Sequence, residues 1–411
     1  MSKLAQGVSL QSFDGTVETV LAVLGREPIN EILQDRDPYR QLRYLVDYLK
    51  HPQLSAKSIL SEAHYVDRDY MEDHGVFYSR SLQPYPNYCK RLHFFDLTLS
   101  QLKKQLQLVA SSSLAEAAKI QTALTNAYLG FVVVKPLLGA PIGRTVLKPL
   151  PPEKGDGHFR RFGSVRDYQV HLLGFSLKVS GLAFQQQDEG VSACATTAVW
   201  SALQKMRNFE DIRVATPAEI TSLATRHVLP FGRAMPSEGL SIDQMCQAIQ
   251  ALGLAPSLYR IEAPEDLFAY LHAAERSGFP SILVWDDHPS KPKLRHAVAV
   301  AGVKILPGLD SAAGNLNDLS SEISALYVHD DRIGPYLRTD VFKNDKRRFN
   351  VSYPASNSPE TWWASYLLLP VHPKIRLSFA TLRKVSRKFA VAVREAIGKK
   401  IRRCHSNSLS D

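Results

Sequence analysis

The sequence predicts an α+β protein in which helices come first and an antiparallel sheet follows, not the alternation of a doubly wound fold. Three observations carry this. Apolar residues recur at helical spacing over 194–206, 241–252 and 264–274. Short runs rich in apolar and β-branched residues then appear at 281–285, 296–305, 325–329 and 365–369. No glycine-rich phosphate motif and no internal repeat interrupts either set, so a nucleotide-driven activity has no support.

Each element has its local reason. The first region, 1–127, reads as helical: Leu42, Leu45, Val46 and Leu49 keep helical spacing and Pro52 ends the segment. A second helix is expected over 58–80, and one or two more over 99–127. The break there is Ser111-Ser-Ser113, with Glu116 three residues after Ser113 to complete a capping box. From 128 to 183 the pattern shifts to short strands at 131–134, 145–147, 168–175 and 176–180, separated by clusters such as Leu150-Pro-Pro152. Region 184–373 holds the helices and sheet described above, with a surface loop expected at 306–324. Region 374–411 reads as a basic helix with a polar tail.

Composition narrows the class. With 411 residues, 45% hydrophobic and 22% charged, the chain can bury a real core, which excludes wholesale disorder. The four cysteines (Cys89, Cys194, Cys246, Cys404) form no CxxC pair, so neither a disulfide framework nor a cysteine-based zinc site is expected. No metal or other cofactor is expected. The start lacks the apolar core of a signal peptide, and no run reaches the length of a membrane span, so a cytoplasmic protein is expected. The net charge of +10 is local. From Lys374 onward there are eleven Lys and Arg against two acids, while the rest of the chain is nearly balanced.

The segment Gln185-Gln-Gln-Asp-Glu-Gly-Val-Ser-Ala-Cys194 carries the most chemistry. A polar loop runs into a cysteine, and Val199, Trp200 and Leu203 then give an apolar helical face. Cys194 is therefore expected at a helix N-terminus, where unpaired N–H groups and the helix dipole favour a thiolate. His296 opens an apolar strand beside a charged loop, a fitting place for a general base. The next strand ends in Asp330-Asp331, and an antiparallel partner would bring a carboxylate to the imidazole's second nitrogen. Taken singly, the cysteine reads as packing and the histidine as a structural strand residue. Together and in this order they point to nucleophilic catalysis.

The chain order Gln, Cys194, His296, Asp330, with the strand His296-Ala-Val-Ala-Val-Ala-Gly302, resembles the papain-like cysteine peptidases. Within them it is nearest to the bacteriocin-processing, C39-like group. The resemblance spans roughly 184–370 and implies a papain-like catalytic domain. It implies Cys194 as nucleophile, His296 as base, Asp330 as orienting acid and Gln187 as oxyanion donor. Asp331 could orient the histidine in place of Asp330, and Gln186 could serve in place of Gln187.

The implied activity is a cysteine hydrolase acting on a peptide or isopeptide bond of a peptide or protein substrate through a thioester acyl-enzyme; transamidation uses the same groups. The competing reading is a catalytically silent papain-like binding module. Its basic C-terminus, 374–403, would then contact nucleic acid, an anionic surface or an acidic partner.

Other features have plainer readings. His64, Asp67, Asp69, Glu72, Asp73 and His74 read as a solvated helix face with internal ion pairs. Asp286 and His288 read as cleft lining. Trp362 and Trp363 read as core ahead of the last strand, and Cys246 as core on a helix. Cys89 and Cys404 stand in polar, basic stretches and look incidental. Leu382, Val385, Phe389, Val393 and Ile397 give the C-terminal helix an apolar face that is expected to dock on the body.

Overall fold

The computed structural model describes residues 7–24, 39–108, 113–137, 139–152, 159–188, 190–191, 193–207, 212–227, 235–236, 239–262, 264–305, 323–342, 345–352 and 359–407. The expected loop at 306–324 lies almost wholly outside them, as does the side chain of Cys404.

The N-terminal part is a sheet covered by helices, not a helical region. Strands β1 (Val8–Ser12), β2 (Ser58–Tyr65), β3 (Cys89–Phe95), β4 (Tyr128–Val134) and β5 (Ile142–Leu147) lie side by side in that order, all antiparallel. Helices α1 (Val17–Leu24) and α2 (Arg40–Lys50) cover one face through Leu21, Leu45 and Leu49, which meet Ile59, Leu92, Phe94 and Val132. The expected helix over 58–80 is divided between β2, α3 (Arg68–Val76) and a single 3₁₀ turn at Tyr78–Arg80.

Polar residues disguised the strands. Arg91 and His93 of β3 are buried because both reach Glu62 of β2, at 2.5 and 2.9 Å, and His93 also bonds the Tyr128 hydroxyl at 2.8 Å. Cys89 is likewise buried, not incidental.

The acidic run at 64–74 is not a solvated face either. Asp67 caps α3 by accepting from the Asp69 and Tyr70 N–H groups, and Asp67, Asp69 and Asp73 are all buried. Asp69 accepts from the Trp200 indole at 3.1 Å and pairs with Arg144 at 3.0 Å. Asp73 accepts from the Ala218 N–H at 3.2 Å.

Further along, α4 (Leu99–Leu108) and α5 (Leu114–Ala127) form as expected, the latter opened by the Ser113–Glu116 capping box. Strands β6 (Phe159–Arg161), β7 (Arg166–Leu172) and β8 (Phe175–Gly181) follow, with β7 and β8 forming a hairpin. Then come helices α6 (Cys194–Met206), α7 (Pro217–Ala224) and α8 (Ile242–Ala251), β9 (Ala255–Arg260), and α9 (Pro264–Ser277). Cys246, on α8, is half-buried against the core.

The last sheet corrects the expected papain-like domain. Strands β10 (Ser281–Asp286), β11 (Arg295–Ile305), β12 (Ile323–Asp330), β13 (Gly334–Phe342), β14 (Asp345–Val351) and β15 (Glu360–Val371) pair successively, all antiparallel. β15 also pairs with β10, so the six strands close into a barrel instead of forming the open sheet of a helix-then-sheet lobe. The reason is the length of β15: Trp363 to Leu368 meet β10 while Glu360 to Trp363 meet β14, so one strand serves both neighbours. Trp285, Val298, Leu326, Val328, Phe349, Trp362 and Leu367 fill the barrel core. Trp362 is thus core within β15 itself, not ahead of it. The last described element is α10 (Phe379–Asn407).

Candidate active site

Helix α6 is nearly wholly buried and packs on β11. Its polar side chains are each tied: Ser201 donates to the Ala183 carbonyl at 2.6 Å, Thr196 bonds Thr221 at 3.2 Å, and Trp200 reaches Asp69. The helix starts at Cys194, and its N-cap Ala193 offers no side-chain acceptor. Among the described residues, no side chain caps the first-turn N–H groups beside the half-buried thiol.

The loop leading there is held from the N-terminal sheet. Gln186 receives the Ile142 N–H on its side-chain oxygen at 3.2 Å and donates to the Gly139 carbonyl at 3.2 Å. Asp188 accepts from the Gly190 and Val191 N–H groups at 3.0 and 2.7 Å and pairs with buried Lys135 at 3.2 Å. At Gly190 a Cβ would stand 2.6 Å from the Phe77 ring, so only glycine fits this close approach.

His296 sits opposite Trp285 in the β10–β11 register, its ring flanked by Trp285 and Trp362 with centroids 6.4 and 5.9 Å away. Its Nε2 lies 3.1 Å from an Asp330 carboxylate oxygen, and the imidazole is also hydrogen-bonded to Cys194.

Burial alone would push this imidazole below its ordinary value. The Asp330 charge and hydrogen bond, with the Cys194 contact, outweigh burial and raise it to about 10. Burial likewise opposes the Asp330 charge, but Arg332 and His296 hold that carboxyl well below the usual range. Arg332 bonds both Asp330 oxygens, at 3.2 and 2.9 Å, and its backbone N–H adds a third contact at 3.0 Å.

More distant residues support this corner. Arg332 pairs with Glu360 at 3.3 Å, and Glu360 pairs with Arg40 of α2 at 3.5 Å. Tyr44 of α2 donates to the Pro335 carbonyl at 3.1 Å, and a Cβ on Gly334 would collide with its ring at 2.0 Å. Tyr336 adopts a left-handed conformation, φ 55°, unusual for a side chain of its size. Its hydroxyl accepts from the Leu182 N–H at 2.7 Å and donates to the Leu147 carbonyl at 3.1 Å, joining the barrel to β5 and the segment after β8.

Thus His296 lies in reach of both Cys194 and Asp330. Asp331 lies farther, 3.7 Å from His296 Nε2. It is buried, neither oxygen has a hydrogen-bond partner among the described residues, and burial with the neighbouring Asp330 charge raises it to about 6. Of the two carboxylates, Asp330 is the one hydrogen-bonded to the ring.

Among the glutamines, Gln186 is committed to the β5 segment. Gln187 is half-buried, and no hydrogen bond ties it to the site among the described residues. Gln185 is buried, and its side-chain nitrogen has no hydrogen-bond partner among the described residues. Asp286 pairs with Arg295 at 2.8 Å, and the His288 ring accepts from the Ser290 and Lys291 N–H groups; both residues organise the β10–β11 loop.

Donor atoms of His296, Asp330 and Asp331 fall within 4.8 Å of one another, a spacing that could hold a metal ion. A metal would have to displace Arg332 from Asp330 and Asp330 from His296, which disfavours that use. Sequence reasoning missed Arg332, Glu360, Tyr44, Lys135 and Asp188. Arg332, two residues after Asp330, and Asp188, in the loop before Cys194, had local signals.

No protein-family model matches this chain, and comparison with curated proteins finds no relative. Among the described residues, no helix is long and apolar enough to cross a membrane.

Proposed function

We propose that this protein is a cysteine hydrolase that cleaves a peptide or isopeptide bond through a thioester intermediate. The observation that carries the reading is one buried imidazole held between the Cys194 thiol at a helix N-terminus and an Asp330 carboxylate fastened by Arg332.

An imidazole that keeps its proton up to about 10 is a poor acceptor at neutral pH. The proposed reactive form therefore carries a proton on His296 and a thiolate at Cys194. The thiolate attacks the carbonyl carbon, and the oxygen that becomes negative lies against the uncapped N–H groups of α6. As the intermediate collapses, the C–N bond breaks and His296 gives its proton to the departing amine. Water then gives a proton to His296 and attacks the thioester, releasing the acid and regenerating the thiolate. An amine in place of water would make the same cycle a transamidation.

The free thiols of Cys89, Cys194 and Cys246 suit a reducing, cytoplasmic setting. The substrate is proposed to be a peptide or protein; the basic C-terminus is taken up below.

The test is labelling by an electrophilic thiol probe. Cys194 should label fastest, Cys194→Ala should remove that label, and His296→Ala should slow it about a hundredfold. Equal labelling of Cys246 with Cys194 inert would overturn the reading.

A further inference from the structure

The C-terminal helix does not do what its pattern predicts. Helix α10 is held at its start, where the Phe379 ring packs at a tilt against Tyr270 with ring centroids 4.5 Å apart and Arg383 pairs with Asp266 at 2.6 Å. Beyond those turns the apolar stripe faces solvent. Leu382 is 42% exposed, Val385 59%, Phe389 70%, Val393 39% and Ile397 55%. Large apolar side chains at spacings of three and four, open along one helix, are a surface that needs a partner.

The charges on the same helix select that partner. Between Leu382 and Ile397 the sequence has five Lys and Arg, at 383, 384, 387, 388 and 394, against the single acid Glu395. Two copies meeting through this stripe would bury the apolar residues but leave the cations, which lie on the opposite face, without a counter-charge. Nucleic acid would satisfy the cations but leave the phenylalanine and the aliphatic residues in water. A lipid surface uses both faces at once. The apolar stripe enters the acyl boundary while the cations meet anionic head groups.

We propose that α10 is an interfacial anchor that lies in the plane of an anionic membrane surface. The assignment is independent of the cysteine chemistry, and it replaces docking on the body as the role of the apolar face.

The experiment is flotation of the full chain with vesicles of phosphatidylcholine alone and of phosphatidylcholine mixed with phosphatidylserine. The chain should float with the anionic vesicles about tenfold or more better than with the neutral ones, and less well as salt rises. Val385→Ser with Phe389→Ser should weaken anionic binding about tenfold or more, because it removes apolar area without changing charge. Both residues are exposed, so the variant should melt with the parent; Cys194→Ala should float as the parent does.

Equal binding to both vesicles, no binding, or anionic binding indifferent to the double substitution would overturn the proposal. So would a chain that ignores vesicles but forms a dimer dispersed by the double substitution. Retention of duplex DNA without vesicle binding would assign the cations to nucleic acid instead.

Discussion

Asp330→Asn removes one charge from the candidate site and keeps its shape, so it separates electrostatics from geometry. In the parent, His296 is raised from 6.5 to about 10, which corresponds to roughly 5 kcal/mol of preference for the charged ring. His329 shows what burial does without a carboxylate. One residue before Asp330 and equally enclosed, with the Ala183 carbonyl acting on it, it falls to about 3. With asparagine at 330, burial and the Arg332 charge both act against the His296 proton, and Asp331 stands off at 3.7 Å. His296 should then titrate below its ordinary value and be neutral at neutral pH.

Two measurements check this. Imidazole NMR should follow His296 to the lower value, and alkylation of Cys194 at neutral pH should slow about a hundredfold. The direction has a stability counterpart. A raised histidine contributes stability fully present below 6.5 and lost as pH rises through about 10, and the variant should lack that slope. A His296 that still titrates near 10 in Asp330→Asn, or an unchanged alkylation rate, would refute the assignment of Asp330 as source of the charge.

Two other substitutions probe the surroundings. Burial raises Asp331 from 3.8 to about 6, so its protonated form stabilises the fold below the unfolded value and that contribution is lost as pH rises through about 6. Asp331→Asn should therefore gain roughly 3 kcal/mol at neutral pH and little in acid, seen as a pH-dependent rise in melting temperature. Asp188→Ala would strand the Lys135 ammonium, whose side chain is only 2% exposed, and should cost about 3–5 kcal/mol in chemical denaturation. Adding Lys135→Met should recover most of that loss, while Cys194 labelling stays slow because the Gly190 and Val191 N–H groups have lost their acceptor.

How much of this was legible depends on the range of the signal. Helix α6 is read to its residues because a polar loop, a cysteine and an apolar face follow one another within a few positions. The capping box at Ser113 is equally local. Strands β2 and β3 were misread because Glu62, Arg91 and His93 look solvent-facing until they meet across the sheet. The acidic run at 67–73 failed for the same reason: its partners Arg144, Trp200 and Ala218 are remote in sequence.

The sequence alone determined the chemistry on offer: a cysteine at a helix start, a histidine opening a strand, an aspartate closing the next, and where the positive charge lies. Each follows from backbone periodicity and capping, which act over a few residues. The tertiary structure alone decided that β15 returns to β10 and closes a barrel, which of two adjacent aspartates faces the imidazole, and that Arg40, Tyr44 and Glu360 support that corner. It also decided that the apolar stripe of α10 stays open, since a helix has the same periodicity whether its face is covered or not. Strand pairing, ion pairing across hundreds of residues and surface coverage depend on what the rest of the chain brings near, and no local pattern encodes that.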